Sequence, residues 1–438
     1  MTENNNYNKY NNYNNILIEN AVNISKDLIK INSVNPEFGG VGEKEKGKYV
    51  LNKIKEYINK YNINNCIIKE YNTCSYKNTI RPNIVVKFNF NKPKTLHIIS
   101  HLDIVPEGDL KLWDNLPYEP IIKDGVIYGR GSEDNHKGIV SSLLLLDLIY
   151  GNENNNNNNQ LKYNLNLIFV SDEECGSEYG IRHILKYKNE IFNKEDLIII
   201  PDFGTPTGEY IEIAEKNILW LNFKIKGKQC HGSTPENGVN SDILAFNFGN
   251  KLCNYLYSKY NKKDNLFDPP YSTFEPTILY NNIENTNTIP GLTQLNFDCR
   301  ILPEYNINEL LNDIDNFIDN FIMEIKSNPL NYLKYYDKKE LNNISIDYSI
   351  LNLETAQKTP ENSEVVLELK NSIKKVLNKE PILCGMGGGT VGAFLRKEGY
   401  NTAIWGIGEE TAHQPNEHIK LEDLIKMANI YYEIIIDK

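Results

Sequence analysis

Paired cysteines, long apolar runs and an excess of basic residues are all missing from this chain. Its 7 cysteines among 438 residues, Cys66, Cys74, Cys175, Cys230, Cys253, Cys299 and Cys384, are odd in number and never in Cys-x-x-Cys spacing. Neither a disulfide framework nor a thiolate zinc site is indicated, and a reducing cytoplasmic setting fits best. Nowhere does the sequence approach the roughly 18 consecutive apolar residues of a membrane span, and its first ten residues hold no apolar core of signal-peptide length. A soluble protein is expected. Lys and Arg number 47 against 58 Asp and Glu, a formal charge of −11. That balance argues against a general nucleic-acid or anionic-membrane partner, which would need basic surface to displace counterions, although a local basic pocket is compatible with it.

Asparagine is abundant instead, above all in residues 4–15 and in the tract 152–160. Such polar stretches bury too little surface to offset ordering entropy, so both are expected to be mobile surface. The length exceeds that of a single growing core, and 40% apolar residues supply material for two domains.

Candidate chemistry collects where apolar runs stop. Thr95-Leu-His-Ile-Ile-Ser100 reads as a buried parallel strand and delivers His101-x-Asp103 at its end. Asn164–Val170 runs into Glu173-Glu174, Leu197–Ile200 into Asp202, and a last strand from Thr402 leads through Glu409-Glu410 and ends at His413. Asp134 follows Gly129-Arg-Gly131 and precedes an apolar helix, where it can serve as a cap, a ligand or both. In open α/β sheets, sites form outside the carboxyl ends of strands. The pooled side chains are His101, His413, Asp134, Glu173, Glu174 and Asp202, a nitrogen and oxygen set suited to zinc, cobalt or manganese rather than calcium.

Helical spacing predicts helices over 16–34 and 47–60, strands at 83–88 and 95–100, and a helix over 138–149. From about Glu215 the pattern changes to period two. Strand, helix, two strands, helix and strand then follow, a small two-layer α+β domain inserted into the first. The expected organisation is a catalytic domain from 1–214 and 354–438 with an inserted domain at 215–353. Residues 179–187 are expected to be helical, His136 and Lys137 solvent-facing, and the aromatics of the 113–120 loop more suited to packing than to a site.

Bound to zinc, water has its pKa lowered from about 15.7 toward about 7, and a second ion can polarise the scissile carbonyl. Of the adjacent Glu173 and Glu174, one can ligate while the other moves the proton from water to the leaving amine. An imidazole can stabilise the oxyanion.

His101-x-Asp103, Gly129-Arg-Gly-Ser-x-Asp134, Glu173-Glu174, Asp202, His231-Gly-Ser, Asp298-x-Arg300, Gly388-Gly-Thr390 and Ala412-His413-x-x-Asn416-Glu417 together resemble the co-catalytic zinc aminoacylase and carboxypeptidase family. The match runs in order over nearly the whole chain. The resemblance implies an α/β, zinc-exopeptidase-like catalytic domain with a mostly parallel sheet, and an inserted ferredoxin-like lid through which a homodimer forms. It implies two divalent ions, most commonly zinc. Asp134 would bridge them, with His101 and Asp202 on one and Glu174 and His413 on the other. Glu173 would be the general base, Asp103 would orient His101, and His231 would stabilise the oxyanion across a dimer. Arg300, Asn287, Gly388, Gly389 and Thr390 would clamp a substrate carboxylate. Asp202 stands where many relatives carry Glu, a shorter side chain of the same charge.

The implied activity is hydrolysis of an N-acyl amino acid or small peptide bearing a free carboxylate. A metallo-carboxypeptidase or dipeptidase differs only in the acyl group. From other classes come a dinucleotide-dependent enzyme using Gly387-x-Gly389-x-x-Gly392 and a noncatalytic peptide binder, which would have no need of Glu173.

Overall fold

The computed structural model describes residues 2–75, 78–151 and 160–437; the asparagine tract at 152–159 lies outside the described residues. The chain forms two compact units. One comprises residues up to 213 with 359–384 and the segment from 390, and the other comprises 214–358 with 385–389.

The larger unit opens with the helix Thr2–Lys30, which buries Leu17, Ala21, Ile24, Leu28 and Ile29. Its backbone is helical through residues 4–15 as well, a stretch that composition alone marks as mobile. Once the amphipathic half has nucleated, each further residue adds a hydrogen bond, so polar sequence can extend the helix. Lys44–Tyr61 follows.

The sheet at the centre of this unit has Asn164–Val170, Thr95–His101, Leu197–Ile200 and Thr402–Ile404 side by side in that order, all parallel. Cys66–Glu70 and Ile84–Phe88 pair antiparallel beyond one side, and Tyr210–Glu215 pairs antiparallel beyond the other. Strands 95–101, 164–170 and 197–200 are buried on both faces and largely apolar. His136–Tyr150 packs on Thr95–His101, and Thr2–Lys30 and Leu421–Ile435 pack on that helix in turn. It is buried along nearly its whole length, with a mostly apolar surface interrupted by Lys137 and Asp147. Truncating one of its buried leucines, Leu144 for example, would cost about 2–5 kcal/mol.

The strand order reverses at Thr95–His101: the next parallel strand lies on one side and the one after it on the other. All four parallel strands therefore end on one edge of the sheet, with a topological switch at His101.

In the smaller unit the order is Thr273–Asn281, Leu292–Ile301, Asn217–Lys226, Ser345–Glu354, all antiparallel. Period-two alternation buries Leu219, Phe223 and Ile225 while Trp220, Lys224 and Lys226 stay exposed. The helices Ser241–Lys259 and Ile307–Ser327 cover the apolar face, and Phe223, Phe248, Phe297 and Phe321 lie in the shared core. Asn240 caps the first by accepting from the amides of Asp242 and Ile243, and Asn306 caps the second, each worth about 1 kcal/mol. Strand order and connectivity are those of a ferredoxin-like α+β fold.

Three local expectations are corrected. Residues 179–187 do not form one helix: a four-residue helix, Ile181–Ile184, gives way to a 3-10 turn at Leu185–Tyr187, since so short a segment gains little from helical cooperativity. The last parallel strand ends at Ile404, and His413 stands on a long loop beyond it. His136 and Lys137 are buried, not solvent-facing.

Candidate active site

All the cluster residues but His413, which stands on a loop, sit where a parallel strand stops or a helix begins. His101 is the last residue of its strand, and Asp202 is two residues beyond Ile200. Glu173 and Glu174 form a 3-10 turn just after Val170, entered through Asp172 at φ 67°. Asp134 precedes the helix His136–Tyr150 across a cis peptide bond.

The side chains converge. His101 Nε2 is 2.9 Å from Asp134 Oδ1 and 3.3 Å from Asp202 Oδ1. His413 Nε2 is 3.1 Å from Asp134 Oδ2 and 3.1 Å from Glu174 Oε2. Two donor sets result, His101, Asp134, Asp202 and Asp134, Glu174, His413, sharing Asp134. Tetrahedral bonds of about 2.1 Å imply donor separations of roughly 3.4 Å, so sets of this spacing and chemistry fit a zinc-like cation.

Electrostatics agree with that fit. Burial, then the Asp134 carboxylate, pushes Glu174 up to about 7. Hydrogen bonding to Asp134 and Glu174 pushes His413 up to about 10. His101 is buried, which lowers its basicity, but Asp202, Asp103 and Asp134 outweigh burial and hold it well above the ordinary imidazole range. Such crowding of carboxylates stabilises positive charge between them, as protons or as a metal that displaces protons. Burial first, then Asp202, raises Glu173 well above the usual carboxylate range.

Behind the cluster, His101 Nδ1 faces the carbonyl of Asp103 at 3.1 Å and its carboxylate at 3.5 Å, which orients the ring so that Nε2 is the nitrogen turned to Asp134 and Asp202. Asp103 does more than orient this ring. Its Oδ1 accepts from the Glu173 amide at 3.0 Å and its Oδ2 from the Glu174 amide at 3.1 Å. Asn35 donates to Asp103 Oδ2 and to Asp172 Oδ1, and Arg81 donates to Asp172 Oδ1 and Glu43 Oε1. A fully buried polar layer therefore holds the turn that presents the two glutamates.

Sequence patterning gives no notice of Asn35, Glu43 or Arg81; isolated polar residues on loops carry no periodic signal. Lys137 pairs with Glu133, and His136 Nε2 lies 2.6 Å from Lys46 Nζ. Trp113 stacks on the Arg130 guanidinium at 5.1 Å, so this aromatic packs its loop.

The remaining candidates lie outside the cluster. His231 is exposed in the smaller unit, with Nδ1 accepting from the Ser233 amide at 3.2 Å. Asn287 is its neighbour, its carbonyl accepting from the Gly232 amide at 2.7 Å. Arg300 donates to Asp298 at 2.8 Å and to the Gly387 carbonyl at 2.9 Å, so the glycine loop and the arginine share one corner of that unit. Thr390 caps the helix Val391–Lys397 by accepting from the Gly392 amide. None of Gly387, Gly388 and Gly389 needs a positive φ, and Gly387 and Gly388 face open space. The tight turn that a dinucleotide fingerprint demands is not made here.

Paired histidine and carboxylate donors at the switch point of a sheet that is mixed, not mostly parallel, make a candidate site for metal ions. Residues 97–437 match the model of peptidase family M20/M25/M40, and the chain belongs to that family. It is 62% identical, over 96% of its length and 99% of the relative's, to an uncharacterized metallohydrolase of Methanocaldococcus jannaschii. A succinyl-diaminopimelate desuccinylase of Alteromonas mediterranea is 25% identical over 81% of this chain and 84% of that one. Among solved structures, the aminopeptidase PepT of Bacillus cereus superimposes with a TM-score of 0.70 at 20% identity, covering 95% and 98% of the two chains. The chain is thus a hydrolase of peptide or amide bonds with candidate metal-binding residues.

Proposed function

We propose a two-cation amidohydrolase that cleaves the amide bond of an N-acyl amino acid or small peptide bearing a free carboxylate. The observation that carries this is Asp134, each of whose oxygens faces a different histidine. His101 and Asp202 hold one divalent ion with Asp134; Glu174 and His413 hold the other. Zinc suits the donors best, with cobalt or manganese as substitutes. Bound there, the ions supply hydroxide at neutral pH and polarise the scissile carbonyl.

The protein side chains do the rest. Glu173 accepts the proton of the attacking water and returns it to the leaving nitrogen, which departs as a neutral amine. His231 donates from Nε2 to the oxyanion. Arg300 forks onto the substrate carboxylate, with Asn287, Gly388, Gly389 and Thr390 completing the grip. The smaller unit also serves as a homodimer interface in this proposal. Its edge strands leave Ile278, Leu279, Ile350 and Leu351 exposed, which supports that role. No helix among the described residues is long and apolar enough to cross a membrane.

The deciding experiment is metal analysis of the purified protein together with a panel of N-acyl amino acids and dipeptides. Two equivalents of metal and turnover of acylated substrates are expected. Turnover of dipeptides alone would make it a dipeptidase, and saturable peptide binding without turnover would leave only a binding protein. Glu173→Gln should retain metal and lose about 10²–10⁴-fold in kcat or more; near-normal turnover would remove Glu173 as the base.

A further inference from the structure

The loop that presents His413 and the loop that presents Asp134 come from opposite ends of the sequence and meet on one buried carboxylate, that of Glu417. Its side chain has no exposure to solvent. Oε1 accepts from the amides of Glu133 and Asp134, both at 2.9 Å. Oε2 accepts from the Gly131 amide at 2.9 Å and from Arg130 Nη1 at 2.7 Å. The Glu417 carbonyl takes the Gly129 amide as well. Successive backbone amides turned inward make an anion-binding nest, and here the chain fills it with its own side chain. Gly131 makes the curl possible at φ 86°, where a Cβ would also strike the His136 ring.

Glu417 lies four residues beyond His413 and immediately before His418–Lys420, which pairs with Val126–Tyr128 just ahead of the Asp134 loop. Between the two, Asn416 accepts from the Asp114 amide at 2.8 Å. His413 itself sits at φ 61° on the tip of its loop, so no strand ladder fixes it. The other donor set differs: His101 ends a strand, and Asp202 follows another that pairs in parallel register with it.

We infer that Glu417 is a positioning residue for one cation of the two, the one held by Asp134, Glu174 and His413, and fixes the span between Asp134 and His413. This rests on the two-cation proposal above. Glu417 touches no cation; it acts by holding three amides of the Asp134 loop against the root of the His413 loop. Partners of this kind typically govern about 10–100-fold in metal affinity.

The test separates the two donor sets. Glu417→Gln keeps the side chain's size but turns an NH2 toward backbone N–H groups. It is combined with Asp202→Asn, which leaves the Asp134, Glu174, His413 set complete, and separately with Glu174→Gln, which leaves the His101, Asp134, Asp202 set complete. Cobalt(II) is titrated into each metal-free protein and followed by its visible absorption, with each partner variant alone as reference.

Affinity should fall about 10–100-fold in the first background and by clearly less in the second, which shares Asp134 but takes His101 and Asp202 from strand ends that Glu417 does not touch. Equal losses in both, or none in either, would overturn the positioning role. If Glu417→Gln abolishes cooperative unfolding of the metal-free protein, Glu417→Asp replaces it. Aspartate keeps the charge but cannot reach all four donors, and the same contrast between backgrounds is required. Wild-type protein taking up fewer than two cobalt ions would instead defeat the two-cation proposal itself, and this inference with it.

Discussion

The imidazoles of His101 and His413 stand on opposite oxygens of Asp134, 2.9 Å from Oδ1 and 3.1 Å from Oδ2. One is delivered by a strand end, the other by a loop some three hundred residues later in the chain. A single carboxylate thus ties both donor sets together, so cations bound in the two sets would share it.

Asp134→Asn should therefore cost more than one ligand. An amide presents one oxygen and one NH2, so at least one histidine faces a donor instead of an acceptor. Metal content after gel filtration should fall from two equivalents to below one, with turnover lost alongside. The metal-free protein should melt close to wild type, because the Asp134 amide still reaches Glu417. Retention of two equivalents would show that Asp134 does not bridge.

Asp103 offers a second test, because it holds both His101 and the glutamate turn. Asp103→Ala strands the amides of Glu173 and Glu174, each costing about 1–3 kcal/mol when buried and unpaired. It also frees the His101 ring, worth about 10–100-fold in metal affinity. Asp103→Asn keeps one accepting oxygen and should lie between Ala and wild type on both measures. Chemical denaturation and zinc competition would check this; an Ala variant with unchanged stability would refute the dual role.

How much of this was visible beforehand depends on chemistry that repeats along the chain. Strands 95–101, 164–170 and 197–200 announce themselves as apolar runs, and the parallel sheet then forces their ends, with His101, Glu173, Glu174 and Asp202, onto one edge. The βαββαβ order of the smaller unit is equally plain from period-two and helical spacing. Buried polar residues were not legible: Lys137, Arg81 and Lys46 are fully enclosed by partners that distant segments bring, and a charge in a sequence looks the same buried or exposed. Short elements failed for another reason. Around Ile181–Tyr187, local propensity is too weak to choose between α and 3-10 turns, and packing decides.

His231 separates metal binding from transition-state stabilisation. It lies outside the donor sets, and its Nδ1 is engaged by Ser233. His231→Ala should leave two equivalents of metal and lower kcat by roughly 10²–10³-fold, as for loss of one oxyanion donor, with little change in substrate binding. Measuring metal content beside kcat and KM decides it. Loss of metal would put His231 among the ligands.

Acid stability should depend on a pair remote from catalysis, His97 and Asp196. Their side chains meet at 2.9 Å, and Asn166 donates to His97 Nδ1 at 3.3 Å, so the neutral ring with its proton on Nε2 satisfies both neighbours. A second proton on Nδ1 would oppose the Asn166 amide. Burial, outweighing the attraction of Asp196, holds His97 below the ordinary imidazole value of 6.5. A depressed folded-state pKa means that the unfolded chain takes up the proton first. Stability is then fully present above about pH 6.5 and is lost as pH falls below it, by about 1.4 kcal/mol for each unit of depression. Asp196 is also depressed: burial would raise it, but His97 and the amides of Asn193 and Thr95 prevail. Its contribution is lost only below about pH 4. His97→Gln should be less stable than wild type at pH 8, and the gap should narrow steadily between pH 6.5 and 5 in urea denaturation. Curves that run parallel across that interval would show that His97 does not titrate on unfolding.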